Sequence, residues 1–112
     1  MQKRKRINSR RKGAEGEREF ADELRKHGFE NARRGVQYAG GPDSPDVVGV
    51  DGVHFEVKRT ERTDLYGWMA QAERDCGDNI PVVAHRKNKS KKCNGEWLII
   101  MRLEDFINGI AK

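Results

Sequence analysis

Apolar residues spaced three and four positions apart predict helices along this chain. The first helix has Phe20, Ala21 and Leu24 on one face, and Gly28 follows it where a left-handed helix end is favoured. The second carries a similar apolar stripe and ends before Gly77. The predicted helices cover residues 13–27, 64–76 and 103–110.

Runs rich in β-branched and aromatic residues predict strands between these helices. Asp51-Gly52 separates two such runs, and this dipeptide is a strong signal for a hairpin with a two-residue turn. The predicted strands cover residues 32–36, 46–50, 53–59, 81–85 and 96–101. The resulting order, α-β-β-β-α-β-β-α, predicts an α/β fold with a central mixed sheet flanked by helices.

Side chains of the strand predicted over residues 53–59 alternate between two faces. Phe55 and Val57 share one face, whereas His54, Glu56 and Lys58 share the other. Glu56 and Lys58 would therefore project side by side, about 6–7 Å apart. An acid beside a lysine is suited to metal-assisted phosphodiester hydrolysis, although a solvated ion-pair ladder produces the same tripeptide.

Two further carboxylates are expected near this acid. Pro45-Asp46 heads the partner strand, so Asp46 and Glu56 could hold one hard cation together with the peptide carbonyl of Val57. Glu17 lies on the apolar face of the first helix, where a carboxylate is costly unless it is paired or binds a metal. Alternatively, Glu17 bends out to water from the first helical turn.

An ideal two-residue turn between the hairpin strands conflicts with this grouping. In that register Asp46 lies opposite Val57, so its side chain points away from Glu56. A cation site therefore requires a bend or bulge at Pro45-Asp46 that re-aims the carboxylate.

Positive charge is concentrated in two segments. Of the 23 Lys and Arg residues, seven lie in residues 1–12 and five in residues 86–92, which leaves eleven beside the 18 Asp and Glu residues of the remaining chain. An acidic body with basic appendages is typical of a polyanion binder whose centre holds a cation, although a solubilising tail and a solvated loop give the same pattern. We expect a flexible basic arm over residues 1–12 and one domain over residues 13–112.

The cysteine spacing and the length of the apolar runs exclude a zinc-binding domain and a membrane-spanning segment. Cys76 and Cys93 lack the spacing of a zinc site, and no apolar run approaches the ~20 residues of a membrane span. We therefore expect reduced cysteines and a cytoplasmic protein without a membrane segment.

Taken in order, the motifs resemble the PD-(D/E)xK nucleases, and among them the archaeal-type Holliday junction resolvases and their phage relatives. The signature is carried by Pro45-Asp46-Val47-Val48 and Phe55-Glu56-Val57-Lys58. The supporting motifs are Lys12-Gly13, Glu17-Arg18-Glu19, His27-Gly28-Phe29, Arg33 and Leu65-Tyr66. The resemblance covers residues 12–68 and continues more loosely through the last two strands.

This resemblance implies a restriction-endonuclease-like fold and a homodimeric endonuclease that cuts four-way DNA junctions symmetrically by metal-activated water, with Mg²⁺ as cofactor and Mn²⁺ as a substitute. Glu17, Asp46 and Glu56 would be metal-site carboxylates, and Lys58 the catalytic lysine. Gln71 would lie near the metal, although a surface glutamine is the plainer interpretation. Candidate dimer contacts, which could equally be core residues, are Tyr66, Trp68 and Met69.

Basic residues are the expected DNA contacts. They are Arg18, Arg33 and Arg34 in the body, Lys3, Arg4, Lys5, Arg6, Arg10, Arg11 and Lys12 in the arm, and Arg86, Lys87 and Lys89 in the loop. The arm and the loop depart from the family pattern and could favour duplex or other branched DNA. Two alternatives stay open: another PD-(D/E)xK nuclease, and a non-catalytic nucleic-acid binder with salt-dependent affinity.

Overall fold

A computed structural model describes residues 9–35, 45–88 and 95–109, apart from the side chains of residues 9–12. In chain order, its elements are α1 (Ser9–Lys26), β1 (Arg33–Arg34), β2 (Val47–Val48), β3 (Val53–Arg59), α2 (Leu65–Asp75), β4 (Ile80–Arg86), β5 (Leu98–Ile100) and α3 (Leu103–Gly109). The predicted order of elements is confirmed. The described strands form one mixed sheet ordered β1-β2-β3-β4-β5, and the predicted α/β, restriction-endonuclease-like architecture is confirmed.

The centre of the sheet is the parallel pair β3–β4. Seven residue pairs join the two strands, from Val53 with Ile80 to Arg59 with Arg86. A parallel pair needs a crossover connection, which α2 supplies. The neighbouring pairs β1–β2, β2–β3 and β4–β5 are antiparallel, as a hairpin prediction for β2 and β3 requires.

Helices cover both faces of β3, so four consecutive residues of this strand are buried. On one face, Phe20 of α1 packs edge-on against Phe55, with ring centroids 5.1 Å apart. On the other face, Met69 and Ala72 of α2 pack with Val83 of β4. Burying each large apolar side chain contributes about 1.5–3 kcal/mol, so both helices are fixed to the sheet mainly by these contacts. None of the described helices combines the length and the apolar character needed to cross a bilayer.

The first helix begins earlier than the sequence predicts. It starts at Ser9 instead of Gly13, so the last four residues assigned to the basic arm belong to α1, while residues 1–8 lie outside the described part of the chain. Its end matches the prediction, because Gly28 has a φ of 101°. There the Gly28 N–H donates to the Arg25 carbonyl at 3.1 Å, which satisfies one of the last carbonyls of the helix.

The register between β2 and β3 differs from that of an ideal two-residue hairpin. Val47 lies opposite Phe55, and the Asp46 N–H donates to the Phe55 carbonyl at 2.9 Å. This register sets Asp46 opposite Glu56 and not Val57, so both acidic side chains share one face. The straight ladder through Asp46 does not form, and Asp46 lies at a bend directly before β2.

The Val53 N–H donates to the Val50 carbonyl, so the two-residue turn forms and the extra residue that shifts the register lies between Val47 and Val50. We place it at Gly49, which lies outside β2; the bend predicted at Pro45-Asp46 is also present. Gly49 has a φ of 100°, and a Cβ at this position would lie 2.0 Å from the Asn31 carbonyl oxygen. Both the backbone conformation and the contact therefore require glycine. The β1 segment and the hairpin are thus packed backbone to backbone where the register is set.

We expect Gly49→Ala to destabilise the protein by roughly 3 kcal/mol or more, since it adds a backbone clash to a left-handed conformation that is itself costly. Gly28→Ala is the matched control, because Gly28 has nearly the same φ and open space where a Cβ would lie. It should cost about 1–2 kcal/mol. Urea unfolding measures both free energies, and equal losses would contradict the assigned contact with Asn31.

Candidate active site

Two carboxyl groups lie side by side where β2 meets β3. Asp46 Oδ2 accepts a hydrogen bond from the Val57 N–H at 2.8 Å, which fixes the Asp46 side chain against the strand that carries Glu56. The two carboxyl groups also share a hydrogen bond that affects the pKa of each. The register shift at Gly49 therefore brings together two of the predicted acids.

The surroundings of the Asp46 carboxyl group disfavour its ionised form. Burial raises its pKa to about 6 from an ordinary value of 3.8, and repulsion from Glu56 acts in the same direction. The Val57 N–H and the Lys58 charge oppose this rise by favouring the ionised form. A cation placed here would relieve both the burial cost and the repulsion.

Glu56 is more deeply buried than Asp46, with 4% of the residue exposed. Burial raises its pKa, and the negative charges of Asp75 and Glu17 raise it further, whereas the Lys58 charge lowers it. Glu56 is thus an acid surrounded on several sides by other acids, with the lysine of the Glu-x-Lys motif as the nearby positive charge.

Glu17 reaches this group from α1. Its side chain is 16% exposed and its Oε1 accepts a hydrogen bond from Arg34 Nε at 2.7 Å. Burial raises the pKa of Glu17, the Arg34 hydrogen bond lowers it, and repulsion from Asp46 raises it. Of the two expectations for Glu17, the structure favours the half-buried, paired carboxylate over one that bends out to water.

Lys58 and Gln71 meet on the same face of the sheet. Lys58 Nζ donates to Gln71 Oε1 at 3.3 Å, and both side chains are only partly exposed. The carbonyl oxygen of Gln71 in α2 therefore restrains the lysine amine beside the acids. Gln71 belongs to the group of side chains around the acids, which differs from the plainer expectation of a surface glutamine.

Asp46, Glu56 and the backbone of Val57 are the groups best placed to hold a cation. The N–H and C=O of one strand residue point to the same side, so the Val57 carbonyl faces the side on which Asp46 lies. Oxygen donors of this kind suit Mg²⁺, which is bound through one or two carboxylates and keeps several waters. Among the residues that the structure describes, no group of three or more His, Cys, Asp or Glu side chains is arranged to hold a metal ion. Two carboxylates and one peptide carbonyl suit an open Mg²⁺ site, at which waters fill the remaining positions.

The basic residues predicted to contact DNA have different environments. Arg18, Arg33 and Lys87 are exposed, and Arg34 is 47% exposed although it is paired with Glu17. Arg86 is different: its side chain is only 10% exposed and its Nη1 donates to Glu19 Oε1 at 2.7 Å. The low exposure of Arg86 and its ion pair with Glu19 favour a structural role for this side chain.

The side chains of the other predicted DNA contacts lie outside the described part of the structure. Residues 1–8 and 89–94 lie outside the described part of the chain, and residues 9–12 are described by backbone alone. The predicted contacts concerned are Lys3, Arg4, Lys5, Arg6, Arg10, Arg11, Lys12 and Lys89.

His54 is the neighbour of the acids that sequence reasoning missed. It is 2% exposed, and its Nε2 lies 3.0 Å from Glu56 Oε1. Strand alternation already places His54 on the face of Glu56 and Lys58, so the signal was present in the sequence. What alternation does not reveal is that this end of the face is buried, which leaves the imidazole and the carboxyl group as partners.

A comparison with models of protein families gives a match that covers more than half of the chain. A family model described as archaeal Holliday junction resolvase (Hjc) matches residues 8–74, which include every residue of the candidate site. Comparisons with curated proteins and with solved structures found no match.

In a buffer with a chelator, we expect the effect of Asp46→Asn on the free energy of unfolding to be more favourable at pH 7 than at pH 4. The folded-state pKa of Asp46, about 6, lies above the unfolded value of 3.8, so between these two pH values the folded wild type holds a proton that the unfolded chain has lost. Its contribution to stability is complete below pH 3.8 and is lost as pH rises through 6. The asparagine amide keeps an oxygen for the Val57 N–H and carries no charge.

At about 1.4 kcal/mol for each pKa unit, the stability difference between variant and wild type should change by on the order of 2–3 kcal/mol between pH 4 and pH 7. Urea unfolding at several pH values measures this difference. A difference that stays constant over this range would show that Asp46 is not buried beside Glu56.

Proposed function

Since this chain belongs to the archaeal Holliday junction resolvase family, we propose that it is a Mg²⁺-dependent endonuclease that cuts four-way DNA junctions. The observation that carries the proposal is the placement of the Asp46 and Glu56 carboxyl groups side by side, with Lys58 on the same face. Two adjacent acids with raised pKa values are costly for folding alone, and a divalent cation offsets that cost.

Asp46 and Glu56, together with the Val57 carbonyl, are the proposed holders of Mg²⁺. When bound, the cation supplies a positive charge that stabilises the negative charge developing on the scissile phosphate and favours deprotonation of the attacking water. The chain's part is to hold two oxygen ligands in a fixed position, which the Val57 N–H to Asp46 bond and the buried environment of Glu56 support.

Lys58 has the proposed role of orienting the attacking water or neutralising charge on the phosphate. Its amine is held by Gln71 at 3.3 Å, so it is already restrained before DNA binds. Restraint of this kind lowers the entropic cost of reaching the reactive arrangement. Glu17, half-buried and bonded to Arg34, would adjust the charge of the site or contribute to a second cation position.

DNA binding is assigned to the exposed basic residues around the site. Arg18 and Arg33 are exposed on α1 and β1, the elements that carry Glu17 and its partner Arg34. Phosphate contacts by such residues position the duplex without reading sequence. The basic arm and the loop after β4 would add affinity that decreases with salt. We expect the protein to act in the cytoplasm.

The protein is proposed to act as a homodimer, because symmetric cleavage of a junction needs two sites. Of the three residues expected at the interface, Met69 is buried in the core and Trp68 packs on His85, whereas Tyr66 is 81% exposed. Tyr66 borders a groove of about 270 Å³ that Leu65, Ile100 and Leu103 also line. An apolar groove beside the edge strand β5 is a surface that a second copy can cover.

We expect Asp46→Asn and Glu56→Gln to lower junction cleavage in Mg²⁺ by about 1000-fold or more, because each removes a ligand of a cation that supplies several kcal/mol. Binding of the junction in EDTA should persist or tighten, since each change removes negative charge near phosphate. Asp51→Asn is the matched control, an exposed carboxylate in the turn of the same hairpin. Cleavage of labelled four-way, linear and supercoiled DNA measures the effect.

Three results separate the candidate functions. Paired symmetric nicks across the junction support the resolvase, and preferential cutting of linear duplex supports another PD-(D/E)xK nuclease. If wild-type chain shifts all three DNAs in gels but gives no Mg²⁺-dependent product, it is a non-catalytic binder. Cutting by Asp46→Asn at the wild-type rate would refute the site assignment.

For the homodimer, we expect Leu103→Glu to weaken self-association by roughly tenfold or more, because it places a charge in a buried apolar contact. Leu103 is 72% exposed within one chain, so the folded monomer should tolerate the change. Phe29→Glu is the control, since Phe29 is also an exposed apolar residue but lines a separate groove beside α1. Sedimentation equilibrium measures the association constant, and equal effects of both changes would contradict the proposed surface.

A further inference from the structure

The contact between His54 and Glu56 is the most buried polar contact described next to the candidate site. Both side chains come from β3, two residues apart on the same face, and they are 2% and 5% exposed. The His54 Nε2 atom lies 3.0 Å from Glu56 Oε1, a hydrogen-bond distance. Because each group is excluded from water, each depends on protein partners such as the other.

The chemistry of the pair fixes the direction of the hydrogen bond when Glu56 is ionised. An ionised carboxylate only accepts, so His54 must donate from Nε2–H. A donor held at one carboxylate oxygen restricts rotation of the carboxyl group about its last bond. The two oxygens of Glu56 then keep a fixed orientation, with Oε1 toward His54.

Glu56 needs such a restraint because other acids surround it. Asp75 and Glu17 repel its charge, and Lys58 is the attractive side chain on the opposite side along the strand. Without a partner at Oε1, only the hydrogen bond with Asp46 would hold the carboxylate against the attraction of the lysine.

We propose that His54 is a positioning residue of the cation site: its hydrogen bond orients the Glu56 carboxylate and so strengthens divalent-cation binding. This inference rests on the proposed function, because it takes Glu56 as a ligand of the cation. Partners that hydrogen-bond a ligating side chain typically change metal affinity by about 10–100-fold when they are removed.

A second buried histidine supplies an internal comparison. His85 is 3% exposed and lies on the same face of the neighbouring strand, in register with Lys58. Its Nε2 contacts the Thr60 carbonyl at 2.9 Å, and its ring packs against Trp68. It has no described hydrogen bond to Glu56, so a change at His85 perturbs a similar environment without touching the carboxylate.

The test compares His54→Gln with His54→Met in the full chain, without DNA and without measuring cleavage. The two replacements have nearly the same length and shape, and both remove the imidazole's remaining contacts alike. Only the glutamine can donate an N–H to Glu56. Mn²⁺ binding, followed by the electron paramagnetic resonance signal of free Mn²⁺, should weaken by about 10–100-fold in His54→Met. It should stay within a few-fold of wild type in His54→Gln and in the control His85→Met.

The outcomes separate this inference from the function on which it rests. If wild type binds Mn²⁺ and the two variants, His54→Met and His54→Gln, have the same affinity as each other, the positioning role is wrong and the cation site stands. If wild type binds Mn²⁺ no better than the double variant Asp46→Asn, Glu56→Gln, the cation site itself is wrong, and the inference is overturned with it.

A measurement on the wild-type chain covers the case in which His54→Met does not fold, as judged by circular dichroism. Mg²⁺ is added while the histidine ring signals are followed by NMR. A hydrogen bond to a ligating carboxylate should shift the His54 ring signals clearly more than those of His85. Equal shifts, or none for either ring, would overturn the proposal.

Discussion

The pairing of Val47 with Phe55 determines where the acidic side chains of this protein lie. One residue of offset in this register decides whether Asp46 faces Glu56 or the hydrophobic core. The offset is held by packing at a distance: Gly49 lies against the Asn31 carbonyl, which leaves no room for a side chain. The placement of the two acids between β2 and β3 therefore depends on a backbone contact that contains no functional group of the candidate site.

Burial of charge is the cost of this arrangement. Three carboxyl groups, those of Glu17, Asp46 and Glu56, all have raised pKa values because each loses water and lies near another acid. Arg34, Lys58 and the Val57 N–H compensate only in part. Holding these three carboxyl groups together without a cation lowers the stability of the folded protein, so a bound cation would offset that loss. The family match and the electrostatics thus point to the same chemistry.

The sequence predicts the elements well because their hydrophobic periods are clear. All eight appear in the predicted order, and strand alternation correctly separates Phe55 from Glu56. The hairpin register was not predictable in this way, since Asp51-Gly52 alone favours the ideal turn. The extra residue at Gly49 depends on a contact with a loop about 18 residues earlier in the chain, which no local pattern encodes.

Long-range pairing also explains the limits of the predictions for single side chains. Arg86 begins a basic run that predicts DNA contacts, and nothing in that run indicates that its guanidinium pairs with Glu19, 67 residues away. Strand alternation predicts the face on which His54 lies, but its contact with Glu56 depends on burial between elements, which alternation does not predict. Charge runs and strand alternation predict where a side chain lies on its own element. Its ion-pair or hydrogen-bond partner depends on how α1 and α2 pack on the sheet.

Strand β3 has a further consequence for how this protein can change during evolution. Its alternate residues lie in two environments. Phe55 and Val57 fill the core, whereas Glu56 and Lys58 lie on the face of the candidate site. Loss or gain of one codon within the strand would exchange the two sets and place charge in the core and apolar groups at the site. Variation in length is therefore confined to the connections on either side, and within the strand only replacement in place is open to selection.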